Sequence, residues 1–181
     1  MEIVFVRHAE KKGEEDLGLS QKGIQQAKNF AKRLSKNHFD ELYCSGLQRA
    51  IETAKIISEK INIPIRIKPV LNEISSEIFK KDQKEWSNEE LTQYSKLKKF
   101  LEKFTKRAKE NKRILIIAHG NTNRLILSIL LELNPKNLIR FRLLETGISE
   151  VYWMPKFKNW RLKYWNDISH QPKELASIGK Y

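Results

Sequence analysis

Two histidines close two short apolar runs of this 181-residue chain, Ile3-Val4-Phe5-Val6-Arg7-His8 and Ile114-Leu115-Ile116-Ile117-Ala118-His119. Both runs have the length and β-branched content of buried parallel strands. In open α/β sheets, ligands bind in the crevice beyond the carboxyl ends of such strands. The pattern therefore predicts two imidazoles facing one crevice. One would act as a nucleophile and the other as an electrostatic partner for an anion, in an enzyme working on phosphate groups.

The rest of the chain must supply the scaffold. Lys11–Gly18 is a polar stretch with two glycines and reads as a loop leaving the first strand. Ser20 can cap a helix whose apolar stripe is Ile24, Ala27, Phe30, Ala31 and Leu34. Glu41–Cys44 reads as a second strand, broken at Ser45-Gly46. A helix through Ala50, Ala54, Ile57 and Ile61 follows, then a short extended segment at Pro64–Ile67. Val70–Asn88 has no clean period and reads as an irregular excursion over the site. Leu91, Tyr94, Leu97, Leu101, Phe104 and Ala108 mark a long amphipathic helix, and Asn121–Leu133 a further, largely buried one that Asn134-Pro135 stops. Ile139–Phe141, Gly147–Trp153 and Trp160–Trp165 alternate as antiparallel or edge strands do. The expected fold is a three-layer αβα sandwich with a mostly parallel central sheet and antiparallel edge strands. It forms a single domain over residues 1–181, with 70–112 as a loop-and-helix excursion over the site.

Composition narrows the function classes. The single cysteine, Cys44, excludes an intramolecular disulfide, and no Cys/His cluster has zinc spacing, so neither metal nor cofactor is expected. Cys44 and Arg49 are one residue too close for the Cys-x5-Arg phosphate loop, and no nucleotide-binding glycine motif occurs. The N-terminus lacks a basic n-region followed by an apolar h-region, and no apolar run reaches membrane-spanning length; these features predict a soluble, cytoplasmic protein without membrane partners. Lys and Arg number 35 against 22 Asp and Glu. Such an excess favours anionic partners, although much of it falls on the predicted helix within Lys80–Arg113, where lysines form a solvated face.

Four segments arrive in a particular order: Arg7-His8-Ala9-Glu10; Leu19-Ser20-Gln21-Lys22-Gly23-Ile24-Gln25-Gln26-Ala27; Tyr43-Cys44-Ser45-Gly46-Leu47-Gln48-Arg49-Ala50-Ile51-Glu52-Thr53-Ala54; and Ala118-His119-Gly120-Asn121. Their order and wording resemble the histidine phosphatase superfamily, which includes phosphoglycerate mutases and many broad-specificity phosphatases, over nearly the whole chain. The resemblance implies that His8 is the nucleophile, with Arg7, Arg49 and His119 holding the phosphate oxygens. It also implies a glutamate acid in a Leu-x-Glu pattern after the third strand. Leu71-Asn72-Glu73 supplies Glu73, with Glu77 in reserve. These roles agree with the chemistry, since phosphoryl transfer asks mainly for positioning and for stabilisation of charge on oxygen. A histidine among cations should have a lowered pKa and keep a free lone pair.

Where the family usually reads Arg-His-Gly, this chain has Ala9, acceptable unless the backbone there needs positive φ. Mutases of the superfamily usually follow the first motif with an asparagine that touches phosphate, whereas Glu10-Lys11-Lys12-Gly13 offers none; Glu10 is read instead as a salt-bridge partner of Arg7 or Arg49 or as a plain loop carboxylate. Asn121 is read as a phosphate ligand or as a helix cap, and the helix starting near Arg49 as a further anion-attracting N-terminus. The expected function is metal-independent hydrolysis of phosphomonoesters through a phosphohistidine, acting on a small phosphorylated metabolite or a phosphoprotein. A mutase, a protein phosphohistidine phosphatase and a basic nucleic-acid-binding protein are the alternatives. Mutases of the superfamily carry a longer insertion before the second histidine than the 45 residues, 74–118, found here. The aromatic tail offers a surface for a homodimer.

Overall fold

The computed structural model describes residues 1–176; the last five positions of the expected domain lie outside the described residues. Six strands form one sheet in the order β3-β2-β4-β1-β5-β6. They are β1 (Glu2–Arg7), β2 (Glu41–Cys44), β3 (Ile65–Ile67), β4 (Arg113–Ala118), β5 (Ile148–Met154) and β6 (Asn159–Asp167). The first four run parallel, and β5 and β6 are antiparallel additions at one side.

Strand alternation builds the two outer layers. Val4 and Val6 of β1 and Leu115 and Ile117 of β4 point to one face, where they pack with Phe30, Leu34, Ala54 and Ile57 of helices α1 (Gln21–Leu34) and α2 (Gln48–Ile61). Ile3, Phe5, Ile114 and Ile116 point to the other, against Leu97, Leu101 and Phe104 of α3 (Asn88–Lys106) and Leu125 and Ile126 of α4 (Gly120–Leu131). Period-2 strands buried on both faces and amphipathic helices thus yield the three-layer sandwich. No helix among the described residues is long and apolar enough to cross a membrane.

Two expectations are corrected. Of the segment expected to ride over the site, residues 71–74 reach it, but α3 packs into a core layer and exposes Lys96, Lys98, Lys99, Lys103 and Lys106 to solvent. Ile139–Phe141 is not a strand. Asn134 caps a 3-10 turn over Pro135–Arg140, which buries Leu138 and turns the chain back toward the sheet.

Ser20 caps α1 by accepting from Gly23 N, and Gly23 has a second duty. A Cβ at Gly23 would sit 2.0 Å from the Glu10 carbonyl oxygen, so the first turn of α1 lies directly against the segment that follows His8. In an open helix, Gly→Ala stabilises by about 1 kcal/mol. Here Gly23→Ala should instead cost about 1–3 kcal/mol, because the methyl must displace backbone. Urea unfolding of the variant checks the sign; a neutral or stabilising outcome would show that this approach is not fixed.

Candidate active site

Strand register places the histidines. Arg7 of β1 lies opposite Ala118 of β4, so His8 and His119 leave adjacent parallel strands at one level. His8 N donates to Ala118 O at 2.9 Å, and the imidazole centroids are 5.0 Å apart, with the rings tilted by 58°. Ser45 joins them from the end of β2, its N–H donating to Ile117 O. Ala9 does not have positive φ, so alanine fits where glycine is common.

Hydrogen bonding fixes the His8 tautomer. Its Nδ1 is 2.7 Å from Ala9 O, which can only accept, so Nδ1 carries the proton. Arg49 Nε, which can only donate, reaches His8 Nε2 at 3.1 Å and so meets a lone pair. Burial depresses the His8 pKa well below the usual imidazole value; His119, Arg7 and Arg49 add to this, and the Ala9 carbonyl opposes it. The sequence reading credited the cations, but burial contributes more.

His119 is fully buried. Its Nε2 is 2.7 Å from Ser45 Oγ, whose hydroxyl donates to Asn72 Oδ1 at 3.0 Å; Nε2 is then the protonated nitrogen. The remaining Nδ1 is buried without a hydrogen-bond partner, 3.8 Å from Glu73 Oε2. Burial, reinforced by Arg49 and Arg7 and opposed by Asp16, lowers the His119 pKa to about 3. The site without anion therefore holds His119 neutral, and the protonated form depends on a bound negative charge.

Glu73 closes the triangle. It is pinned to the start of α4: Asn121 N donates to Glu73 Oε1 at 3.1 Å, and Thr122 Oγ1 to Asn72 O at 2.9 Å. Removal from bulk water raises the Glu73 pKa against the pull of the Asn121 N–H and of Arg7 and Arg49. Glu77, the reserve acid, is exposed and paired with Lys80. Asn121 has both ends of its carboxamide engaged, Nδ2 donating to Ile74 O and Oδ1 accepting from Arg124. It fastens the Glu73 loop to α4 rather than reaching toward phosphate, and the helix cap is His119, without a side-chain bond.

Each cradle arginine has its own carboxylate, and neither is Glu10. Arg7 donates from Nη1 to Leu143 O and pairs through Nη2 with Glu145 at 2.9 Å, leaving Nε buried and unpartnered. Arg49 pairs with Asp16 at 2.9 Å, while Glu10 bonds Ser20 and pairs with Lys22. Asp16 also accepts from the backbone of Gln48 and Arg49, so the N-terminus of α2 already holds an anion of the chain's own. Partial burial pushes the Asp16 carboxyl up, but these N–H groups and the Arg49 guanidinium hold it below the usual range. Sequence reasoning missed Asp16, Glu145 and Asn72 as supporting residues, and it left Ser45, which bonds His119 and Asn72, between a phosphate contact and a helix cap. Lys11–Gly18 offers three consecutive carboxylates and no local signal to choose among them.

His8, Glu73 and His119 present ligand atoms within 4.8 Å of one another, close enough in type and spacing to chelate a cation. The adjoining Arg7 and Arg49 favour an anion instead. A buried guanidinium Nε without a partner is what such an anion would satisfy, and the unpartnered His119 Nδ1 could join it once protonated.

Known proteins resemble this chain in sequence and fold. The family profile described as the histidine phosphatase superfamily (branch 1) matches residues 3–99 and 79–168. An adenosylcobalamin/alpha-ribazole phosphatase of Salmonella typhimurium is 37% identical over 82 residues, a match spanning 41% of either chain. Phosphoserine phosphatase 1 of Hydrogenobacter thermophilus is 28% identical over 150 residues, covering 66% of this chain and 71% of the relative. A phosphoserine phosphatase mutant from Entamoeba histolytica, solved in complex with phosphoserine, shares the fold with a TM-score of 0.76 at 24% identity, over 94% of this chain and 99% of that one.

The low His119 pKa sets a pH dependence of stability. An unfolded histidine binds its proton near the ordinary value, whereas folded His119 waits until about 3, so stability is lost as pH falls from the unfolded pKa toward the folded one. Between pH 7 and pH 5 His119 alone should cost about 2 kcal/mol, and His8 adds in the same direction. Urea unfolding at both pH values measures the loss, which His119→Gln should reduce; an equal loss in that variant would exclude His119 as its source.

Proposed function

The chain belongs to the histidine phosphatase superfamily, and from that premise we propose that it is a metal-independent phosphomonoesterase working through a phosphohistidine on His8. The observation that carries this reading is the His8 tautomer. Nδ1–H is fastened to Ala9 O, and the Nε2 lone pair looks into the cradle toward Arg49. An arriving phosphate gives the Arg49 guanidinium a charged acceptor in place of a neutral nitrogen, which frees that lone pair. Arg7 Nε and His119 Nδ1, the latter protonated once the anion is bound, meet the remaining oxygens.

In the first step His8 Nε2 attacks phosphorus, the phosphorus–oxygen bond to the alcohol breaks, and Glu73 gives its proton to the departing alkoxide. In the second, water attacks the phosphohistidine, Glu73 takes a water proton, the phosphorus–nitrogen bond breaks and phosphate leaves. The raised pKa of Glu73 suits a group that must carry a proton in one step and accept one in the next. Positive charge that a metal would bring is supplied by Arg7 and Arg49. Hydrolysis is favoured over a mutase reaction because the Glu73 side chain stays 34% exposed, so water reaches the base. A small phosphorylated metabolite in a cytoplasmic setting is the proposed context.

His8→Ala should abolish turnover of an aryl phosphate, and wild-type protein quenched during turnover should carry an acid-labile, base-stable phosphoryl group. Glu73→Gln should lose about 10²–10⁴-fold on alkyl phosphates and less on 4-nitrophenyl phosphate, whose leaving group needs little protonation. Chelators should leave the rate unchanged. Steady-state assays with phosphoenzyme trapping check all of these, and retained activity in His8→Ala would refute the mechanism.

A further inference from the structure

Beside the phosphate cradle lies a pocket of about 400 Å³ that the mechanism has not used. Arg7 and Glu73 belong to both, so the pocket opens where the phosphate cradle ends. Glu73 must protonate the leaving oxygen, and the group attached to that oxygen must therefore lie on the Glu73 side, in this pocket. Its walls carry Arg7, Arg124, Arg140 and Arg142, and among the described lining residues Glu73 is the one acid.

Arg140 has no ion-pair partner among the described residues and is exposed at the end of the 3-10 turn. Arg124 is aimed by donating to the Phe141 carbonyl and to Asn121 Oδ1. Ile139 and Leu143 supply apolar wall between these charges, which lowers the local dielectric and strengthens a charge pair formed there. The volume suits a small metabolite, and guanidinium forks match carboxylate and phosphate oxygens.

We infer that this pocket recognises a leaving group that itself bears an oxyanion, a carboxylate or a second phosphate, held by Arg140 and Arg142, so that the preferred substrates are small phosphomonoesters of acidic alcohols. The inference rests on the phosphatase reading for the direction of the leaving group. It separates the candidate substrates within that reading, since a neutral sugar monophosphate or a phosphorylated side chain in a protein brings no second oxyanion to Arg140.

Matched pairs test it. 3-Phosphoglycerate differs from glycerol 3-phosphate, and phosphoserine from phosphoethanolamine, essentially in the carboxylate; propanediol bisphosphate against its monophosphate supplies the phosphate arm. The acidic member of at least one pair should be preferred by about 10- to 100-fold in kcat/KM, the range of a charge-assisted hydrogen-bonded pair. Arg140→Ala and Arg142→Ala should collapse that ratio, mainly through KM, and Arg140→Lys should restore part of it. The arm showing the preference identifies the oxyanion. Equal turnover within every pair, an unchanged ratio in both alanine variants, or preference for a phosphoserine peptide would overturn the inference. Failure of the phosphatase reading looks different: no compound is turned over, including a generic aryl phosphate. In that event calorimetric binding of the same pairs to the His8→Ala protein still decides whether the pocket selects an acidic ligand.

Discussion

The parallel pairing of β1 with β4 is the constraint on which the site depends. In a parallel pair, facing residues keep the same level along both strands, and side chains alternate between faces. Val4 opposite Leu115 and Val6 opposite Ile117 send one set toward α1 and α2, while Ile3 and Phe5 with Ile114 and Ile116 send the other toward α3 and α4. Both faces are buried, so a slip of one residue would expose apolar side chains on each strand; the hydrophobic pattern thereby fixes the register. Once it is fixed, the first residues beyond the two strands are His8 and His119, with rings 5.0 Å apart. Core packing and catalytic geometry are set by the same pairing.

Charge in the cradle is arranged by individual compensation. Arg7 is tied to Glu145 and Arg49 to Asp16. Each pair orients a guanidinium and lowers the cost of placing two cations beside two buried imidazoles. The imidazoles respond by staying neutral. In the proposed reaction, a site of neutral histidines and tethered arginines would take an anion without His8 first losing a proton. The same device recurs away from the site. Buried Glu41 is shared by Arg66 and Arg107, and fully buried Glu150 by Arg113 and Lys163. Part of the basic excess thus neutralises carboxylates inside the sheet edges, and the α3 lysines form a solvated face.

Legibility in the sequence followed the range of the interactions involved. Residues carried by periodic elements could be read: the strand ends at His8 and His119, the Ser20 cap, and the stripes of α1 and α3. Glu73 could be singled out through a short pattern, and it lies 3.8 Å from His119. Asp16, Glu145 and Asn72 could not, because each acts across 26 or more residues of chain from a loop whose local sequence is unremarkable; Asn72, for example, accepts from Ser45 Oγ and Gly46 N. The misreading of Ile139–Phe141 has a related cause. Three residues of alternating polarity fit a strand, but Asn134-Pro135 upstream starts a 3-10 turn, and burial of Leu138 fixes its phase.

The loop holding Glu73 ties Ser45, the start of α4 and the wall of the neighbouring pocket together, so these cannot vary independently. Asn72 accepts from Ser45 and Gly46 on one side, while its carbonyl accepts from Thr122 on the other. Asn121 holds Ile74 and Glu73 and, through Oδ1, Arg124 of the pocket wall. A shift of this loop would move Glu73 relative to His8, loosen the Ser45 contact that orients His119, and reposition Arg124. On the proposed mechanism such a network would couple substrate preference to the proton-transfer geometry. The Arg140 side chain lies outside it, at the exposed end of the 3-10 turn before β5. That is where the pocket can change its ligand without disturbing the chemistry.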